Sequence, residues 1–270
     1  MRANRKLWAA TTVCLAVFAG VTGCGGKGAD KPVDKGAGKP AEKAADPFEG
    51  LTADAIAKKA VETTKTATSV HMKGKGKEDG KDMTLDFSVD DKGTCEGSVS
   101  PGGGKAEIKR TGGFTYMKGD DAFWKATGGE EGSSAEESGA LATLLKGRWM
   151  KLPAEDADAN DLGEFCDLKV IFADMDKETK TTGLTREADA DVDGSPVAVV
   201  KGKADAKGQV VTLYVAKDSA KPYILRSVTA GGEDPGEVTL SDFDKPLNVT
   251  APPAGEVMDM EALMKAGAGS

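Results

Sequence analysis

Met83-Thr84-Leu85-Asp86-Phe87-Ser88-Val89 alternates apolar and polar residues without a break, and Asp90-Asp91-Lys92-Gly93 follows it. Side chains on a strand point to opposite faces in turn, so this stretch reads as a strand with one apolar face, closed by an Asp/Gly turn. The same period of two extends outward. Upstream, Val70 and Met72 alternate with polar neighbours. Downstream, Ala106–Ile108 and Phe114–Tyr116 continue the series. An antiparallel meander with one buried and one wet face accounts for all of them.

Helical spacing brackets this meander. Thr52 is placed to cap a first helix, Asp54 sits in its first turn, and Ile56, Ala60 and Val61 share a face. After the meander, Ala135–Leu145 carries Leu141, Leu144 and Leu145 on one side, with Ser133 or Ser134 as cap. A short strand is expected around Trp149–Leu152. A second inserted helix runs from about Asn160 to Ala173, with Leu162, Phe165, Cys166 and Val170-Ile171. Strands then return at Leu184–Val192, Val197–Lys203, Val210–Ala216, Ile224–Thr229 and Val238–Phe243. Asp193-Gly194 is a hairpin turn between two of them. Pro252-Pro253 ends the domain, and 254–270 is expected as a flexible tail with a short helix at Val257–Lys265. The fold class is α+β: one large curved antiparallel sheet with helices on one face.

The N-terminus is of a different kind. Arg2, Arg5 and Lys6 precede an apolar stretch from Leu7 to about Phe18. It is shorter than the about 20 residues of a spanning helix and has the flanks of a signal peptide. Val21-Thr22-Gly23-Cys24 then resembles the bacterial lipobox, in which the cysteine is acylated and becomes the first mature residue. Residues 1–23 are therefore expected to be a lipoprotein signal peptide. Residues 24–47, rich in Gly, Ala, Lys, Asp and Pro, are expected to form a lipidated tether, because so little of them is apolar. As a flexible coil the tether would hold the 48–253 body roughly 25–30 Å from its anchor. The whole chain carries a net charge of −8, and losing the three basic and no acidic residues of 1–23 leaves −11. Such a body would be repelled by nucleic acid and gains nothing from anionic headgroups, so the membrane contact is assigned to lipid on Cys24. The expected location is the outer face of the cytoplasmic membrane.

Of four cysteines, Cys14 leaves with the signal and Cys24 is lipidated. Cys95 and Cys166 remain in an oxidising compartment and are expected to form a disulfide. A catalytic or metal-binding pair has less support, since neither has a Cys-x-x-Cys partner and the one histidine, His71, is distant in sequence. No G-x-S-x-G elbow and no phosphate-binding G-x-x-x-x-G-K-[ST] loop occurs. Asp189-Ala190-Asp191-Val192-Asp193-Gly194 opens like a calcium-binding EF-hand loop, but Val200 stands where the bidentate Glu belongs, so it reads as a charged hairpin. Glu130-Glu131 and Glu136-Glu137 read as solvated. No catalytic residue, metal or cofactor is expected, and the chain is not read as an enzyme.

Several segments together resemble the LppX/LprG-type actinobacterial cell-envelope lipoproteins, within the LolA/LolB-like lipoprotein carrier superfamily. They are Ser69-Val70-His71-Met72-Lys73-Gly74, Phe123-Trp124-Lys125, Gly147-Arg148-Trp149-Met150-Lys151-Leu152 and Val192-Asp193-Gly194-Ser195-Pro196-Val197. Further on come Leu213-Tyr214-Val215-Ala216-Lys217, Pro222-Tyr223-Ile224-Leu225-Arg226 and Leu240-Ser241-Asp242-Phe243-Asp244-Lys245-Pro246. Each is short; their order and spacing carry the resemblance. It implies an incomplete β-barrel with helices in its hollow, and an apolar cavity between them that holds acyl chains.

By alternation the cavity would be lined by Met83, Leu85, Phe87, Tyr116, Leu213, Val215, Ile224 and Val228, facing Leu141, Leu144 and Leu145. The leading expectation is a membrane-anchored binder or carrier of a lipid, a glycolipid or another apolar ligand. The alternative is a non-catalytic module that docks an envelope protein and has a filled core.

Overall fold

The computed structural model describes residues 45–78, 80–127, 139, 143–159, 163–178 and 181–263. Cys24, the expected signal peptide, the expected tether before residue 45 and Leu141 lie outside them.

Helix α1 spans Ala53–Thr64 and begins as expected, with the Thr52 side chain accepting from the Ala55 N–H at 3.2 Å. Five strands follow as a meander: β1 Ser69–Glu78, β2 Lys81–Asp90, β3 Cys95–Pro101, β4 Ala106–Thr111 and β5 Phe114–Gly119. The turn after β2 forms because the Asp90 carboxylate accepts from the N–H groups of Lys92 and Thr94, while Gly93 takes φ +78°. Next come α2 Asp121–Thr127, β6 Trp149–Pro153, α3 Ala154–Ala159, a 3₁₀ turn Glu164–Cys166 and α4 Leu168–Glu178. The last run is β7 Thr185–Arg186, β8 Ala190–Val192, β9 Ser195–Lys201, β10 Val210–Ala216, β11 Ile224–Ala230, β12 Gly236–Ser241 and β13 Val257–Asp259.

All thirteen strands belong to one sheet, in the order β13-β6-β5-β4-β3-β2-β1-β12-β11-β10-β9-β7, with β8 also on β9. Every pairing is antiparallel except β13 on β6. The path has two ends, so the sheet is a curved, unclosed barrel of the α+β class. The central seam joins β1 to β12, bringing residues about 170 apart in sequence side by side, as His71 opposite Ser241 shows. Phe87, Val89, Val99, Ile108, Met117, Leu213, Val215 and Ile224 point to the concave side, where they form the core with Ile56, Ala60 and Val61 of α1.

Three expectations need correction. Leu184–Val192 is not one strand, because Asp189 turns aside to meet Arg186 and Lys217 and splits it into β7 and β8. The helix expected over Asn160–Ala173 is a 3₁₀ turn and then α4, displaced toward the C-terminus. The segment after Pro253 is not simply a flexible tail: Val257–Asp259 pairs in parallel with Trp149–Lys151, and the Asp259 carboxylate meets Lys151 at 2.9 Å. The Asp193-Gly194 hairpin forms as read, with φ of +51° and +83° and Val192 opposite Ser195.

Candidate functional site

The concave face is covered unevenly. α1 packs against β9, β10 and β11, and α2 packs against β3 and β5. Phe123 and Trp124 of α2 are buried, and the Trp124 indole donates to the Gly119 carbonyl at 3.0 Å. Between these helices the middle strands keep an open hollow, a cavity of about 610 Å³. That is within the usual range for a small-molecule pocket.

Strand register sets its walls in tiers. At the mouth lie Val211, Thr229, Gly236, Gly76 and Met83, each paired with the next across β10, β11, β12, β1 and β2. One tier deeper are Leu213, Ser227, Val238, Gly74, Leu85 and Val99. The floor is Leu240, Met72, Phe87 and Ile224, all buried. Glycine lets the strands close up along this wall. A Cβ on Gly74 would stand 3.1 Å from Val238 Cγ2 and 3.3 Å from Leu85 Cγ, and one on Gly76 would stand 2.9 Å from Gly236 Cα. Between these inward tiers Lys75 pairs with Glu237 at 3.1 Å on the outer face, while Lys77 and Asp234 lie at the mouth end.

The remaining wall comes from the inserted helices. Phe165 on the 3₁₀ turn and Ile171 on α4 line the cavity, and the Phe165 ring lies 6.2 Å from that of Phe87. Cys166, next to Phe165, is bonded to Cys95 at the start of β3; the Cα atoms are 5.3 Å apart and both residues are fully buried. The disulfide therefore fastens this wall to the sheet.

Met83, Leu85, Phe87, Leu213 and Ile224 line the cavity where alternation put them. Val228 does not. The register slips between Tyr214 and Val215, where Tyr214 faces Arg226 but Val215 faces Ile224. The bulge at Leu225 reverses the parity of the rest of β11, so Ser227 and Thr229 turn inward in place of Val228. Leu225 itself reaches the outer cluster of Val192, Val197 and Val199. The Ile224 N–H donates to the buried Thr64 hydroxyl of α1 at 3.0 Å.

Tyr116 also faces away from the cavity. β5 is apolar on both faces, and pairing of Ile108 with Met117 turns Met117 inward and Tyr116 outward, between Lys109 and Lys151. Val215 is fully buried in the core beside α1, off the cavity. Leu145 is likewise sealed in the core, while Leu144 is 44% exposed; neither lines the hollow. Helical periodicity could not distinguish them from Phe165 and Ile171, whose position depends on the disulfide.

Two polar assemblies brace the frame. Asp244, in the left-handed region at φ +59°, accepts from the Thr68 N–H, the Lys221 ammonium and the Tyr223 hydroxyl at 3.0, 2.6 and 2.8 Å. Lys221 and these hydrogen bonds hold its carboxyl far below the ordinary carboxylate range. On the outer face, His71 Nε2 lies 2.7 Å from Asp86 Oδ1 and depresses that carboxyl. Asp189 of the calcium-like run is engaged by Lys217 and Arg186, and Asp191 accepts from Gly194 N–H in the turn. Among the described residues, no group of His, Cys, Asp and Glu is placed to hold a metal. Nor, among them, is any helix long and apolar enough to cross a membrane.

An unclosed barrel with an apolar hollow against its helices defines a class of protein, the half-barrels with a ligand-sized concavity. Among solved structures the chain is similar to the lipoprotein LppX of Mycobacterium tuberculosis, with 16% identity over 73% of this chain and 97% of that one, at a TM-score of 0.44. It is similar to LprF from Mycobacterium bovis, with 17% identity over 75% and 97%, at a TM-score of 0.48. MucB is similar with 15% identity over 76% and 62%, at a TM-score of 0.33. These are likenesses of fold and assign no function. No family model and no curated relative matches the chain.

Proposed function

We propose that the chain is an exported lipoprotein, anchored through Cys24 at the outer face of the cytoplasmic membrane, whose body binds or carries an amphiphilic lipid. The observation that carries this reading is the cavity: about 610 Å³, walled by Met83, Leu85, Phe87, Val99, Leu213 and Ile224, and open near Lys77. Each methylene moved from water into such a space contributes about 0.8 kcal/mol, so an acyl chain supplies affinity without any catalytic group. The role is non-enzymatic. The tether lets the body reach cargo near the membrane while Cys24 stays inserted.

Native mass spectrometry of the purified full chain, incubated with a bacterial lipid extract, tests the binding. Discrete lipid adducts that vanish in Leu85→Trp are expected. A chain that keeps no adduct under conditions preserving the fold would instead favour the protein-docking alternative.

A further inference from the structure

The β11 bulge places two hydroxyls inside an otherwise apolar wall. Ser227 sits between Leu213 and Val238, and Thr229 between Val211 and Gly236; both line the cavity. Among the described residues neither hydroxyl has a hydrogen-bond partner in the protein. Their placement is also graded. They occupy the two tiers nearest the mouth, about 7 Å apart along the strand, while the floor beneath is wholly apolar. A plain hydrocarbon would leave both groups unsatisfied as it displaced water from them.

We infer that Ser227 and Thr229 form a polar subsite that donates to the carbonyl oxygens of an ester-linked acyl lipid, with its chain on the apolar floor and its headgroup at the mouth of the cavity near Lys77. This rests on the reading of the cavity as a lipid site and specifies which lipids it takes. Beside the two hydroxyls, Gly76 and Gly236 let β1 and β12 approach closely: a Cβ on either would stand 2.9 or 3.1 Å from backbone of the other strand's segment.

Diphenylhexatriene, a pure hydrocarbon that fluoresces in apolar sites, separates the two claims when added to the purified full chain. Monolauroylglycerol and dodecane, equal in chain length, then compete for it. Wild type is expected to bind the fluorophore and to lose it at about tenfold lower monolauroylglycerol than dodecane. In the near-isosteric Ser227→Ala/Thr229→Val variant, fluorophore and dodecane should bind at least as tightly as in wild type, having no hydroxyl to desolvate, while monolauroylglycerol weakens about tenfold. Equal potency of the two competitors, or an unchanged response in the variant, overturns the polar subsite and leaves the lipid site standing. Failure of the folded wild type to bind the fluorophore overturns both.

Discussion

Leu85 stands half-buried between Gly74 and Val99, one tier below the mouth of the cavity, so its side chain can be enlarged into the hollow without disturbing the solid core. Leu85→Trp is expected to weaken binding of an apolar probe at least tenfold with a thermal midpoint close to wild type. Val228→Ala, on the other parity of the same sheet, should leave binding unchanged. Fluorescence titration of both variants checks the assignment of faces, and equal losses would refute the bulge-based parity. Asp244 is a stability residue. Asp244→Asn removes a charge that Lys221, Tyr223 and Thr68 all address, and should cost about 2 kcal/mol at neutral pH by denaturant titration.

At the scale of elements, the 3₁₀ turn and α4 are the part of the cavity wall that depends on a covalent bond. Cys95 and Cys166 enclose a 71-residue separation, and closing such a loop is worth about 4 kcal/mol in the chain-entropy model. Cys95→Ala/Cys166→Ala is expected to lower stability by an amount of that order and to weaken apolar-probe binding, because Phe165 is no longer held over Phe87. A variant as stable as wild type, or one with unaltered affinity, would show that the wall holds itself. β13 differs. It caps the far end of the strand order, away from β11 and β12. Truncation after Pro253 strips this strand from β6 and the carboxylate from Lys151, so it should lower the thermal midpoint by a few degrees while leaving binding intact.

The whole molecule answers to pH through its carboxylates. Asp46, Asp86, Asp189 and Asp244 are all held below the ordinary value of 3.8 by hydrogen bonds and neighbouring cations. A depressed carboxyl contributes stability above its unfolded value and loses it as pH falls through the folded one. Stability should therefore change little from about pH 7 to about pH 5 and fall steeply below about pH 4, with the Asp244→Asn deficit shrinking over the same acid range. Urea denaturation across that range measures both. The proposed anchoring is tested on the whole chain: in a bacterial host, Cys24→Ser should move the protein from the membrane fraction to the soluble one and abolish incorporation of labelled fatty acid.

The sequence by itself determined what depends on local pattern and chemistry. Alternation in Met83–Val89 and the turn at Asp90–Gly93 established the meander, the Thr52 cap marked α1, and the cysteine count paired Cys95 with Cys166. Tertiary structure decided which of two apolar faces looks inward on β5, since only pairing with Ile108 distinguishes Met117 from Tyr116. It also decided the inward turn of Ser227 and Thr229, because a one-residue bulge inverts a strand without altering its composition. The choice of Phe165 over Leu144 as helical wall was non-local in the same way: helical periodicity specifies a face, whereas the partner of that face is set by a bond to a residue 71 positions away. Alternation therefore located much of the cavity, and long-range pairing chose its polar edge and its closing wall.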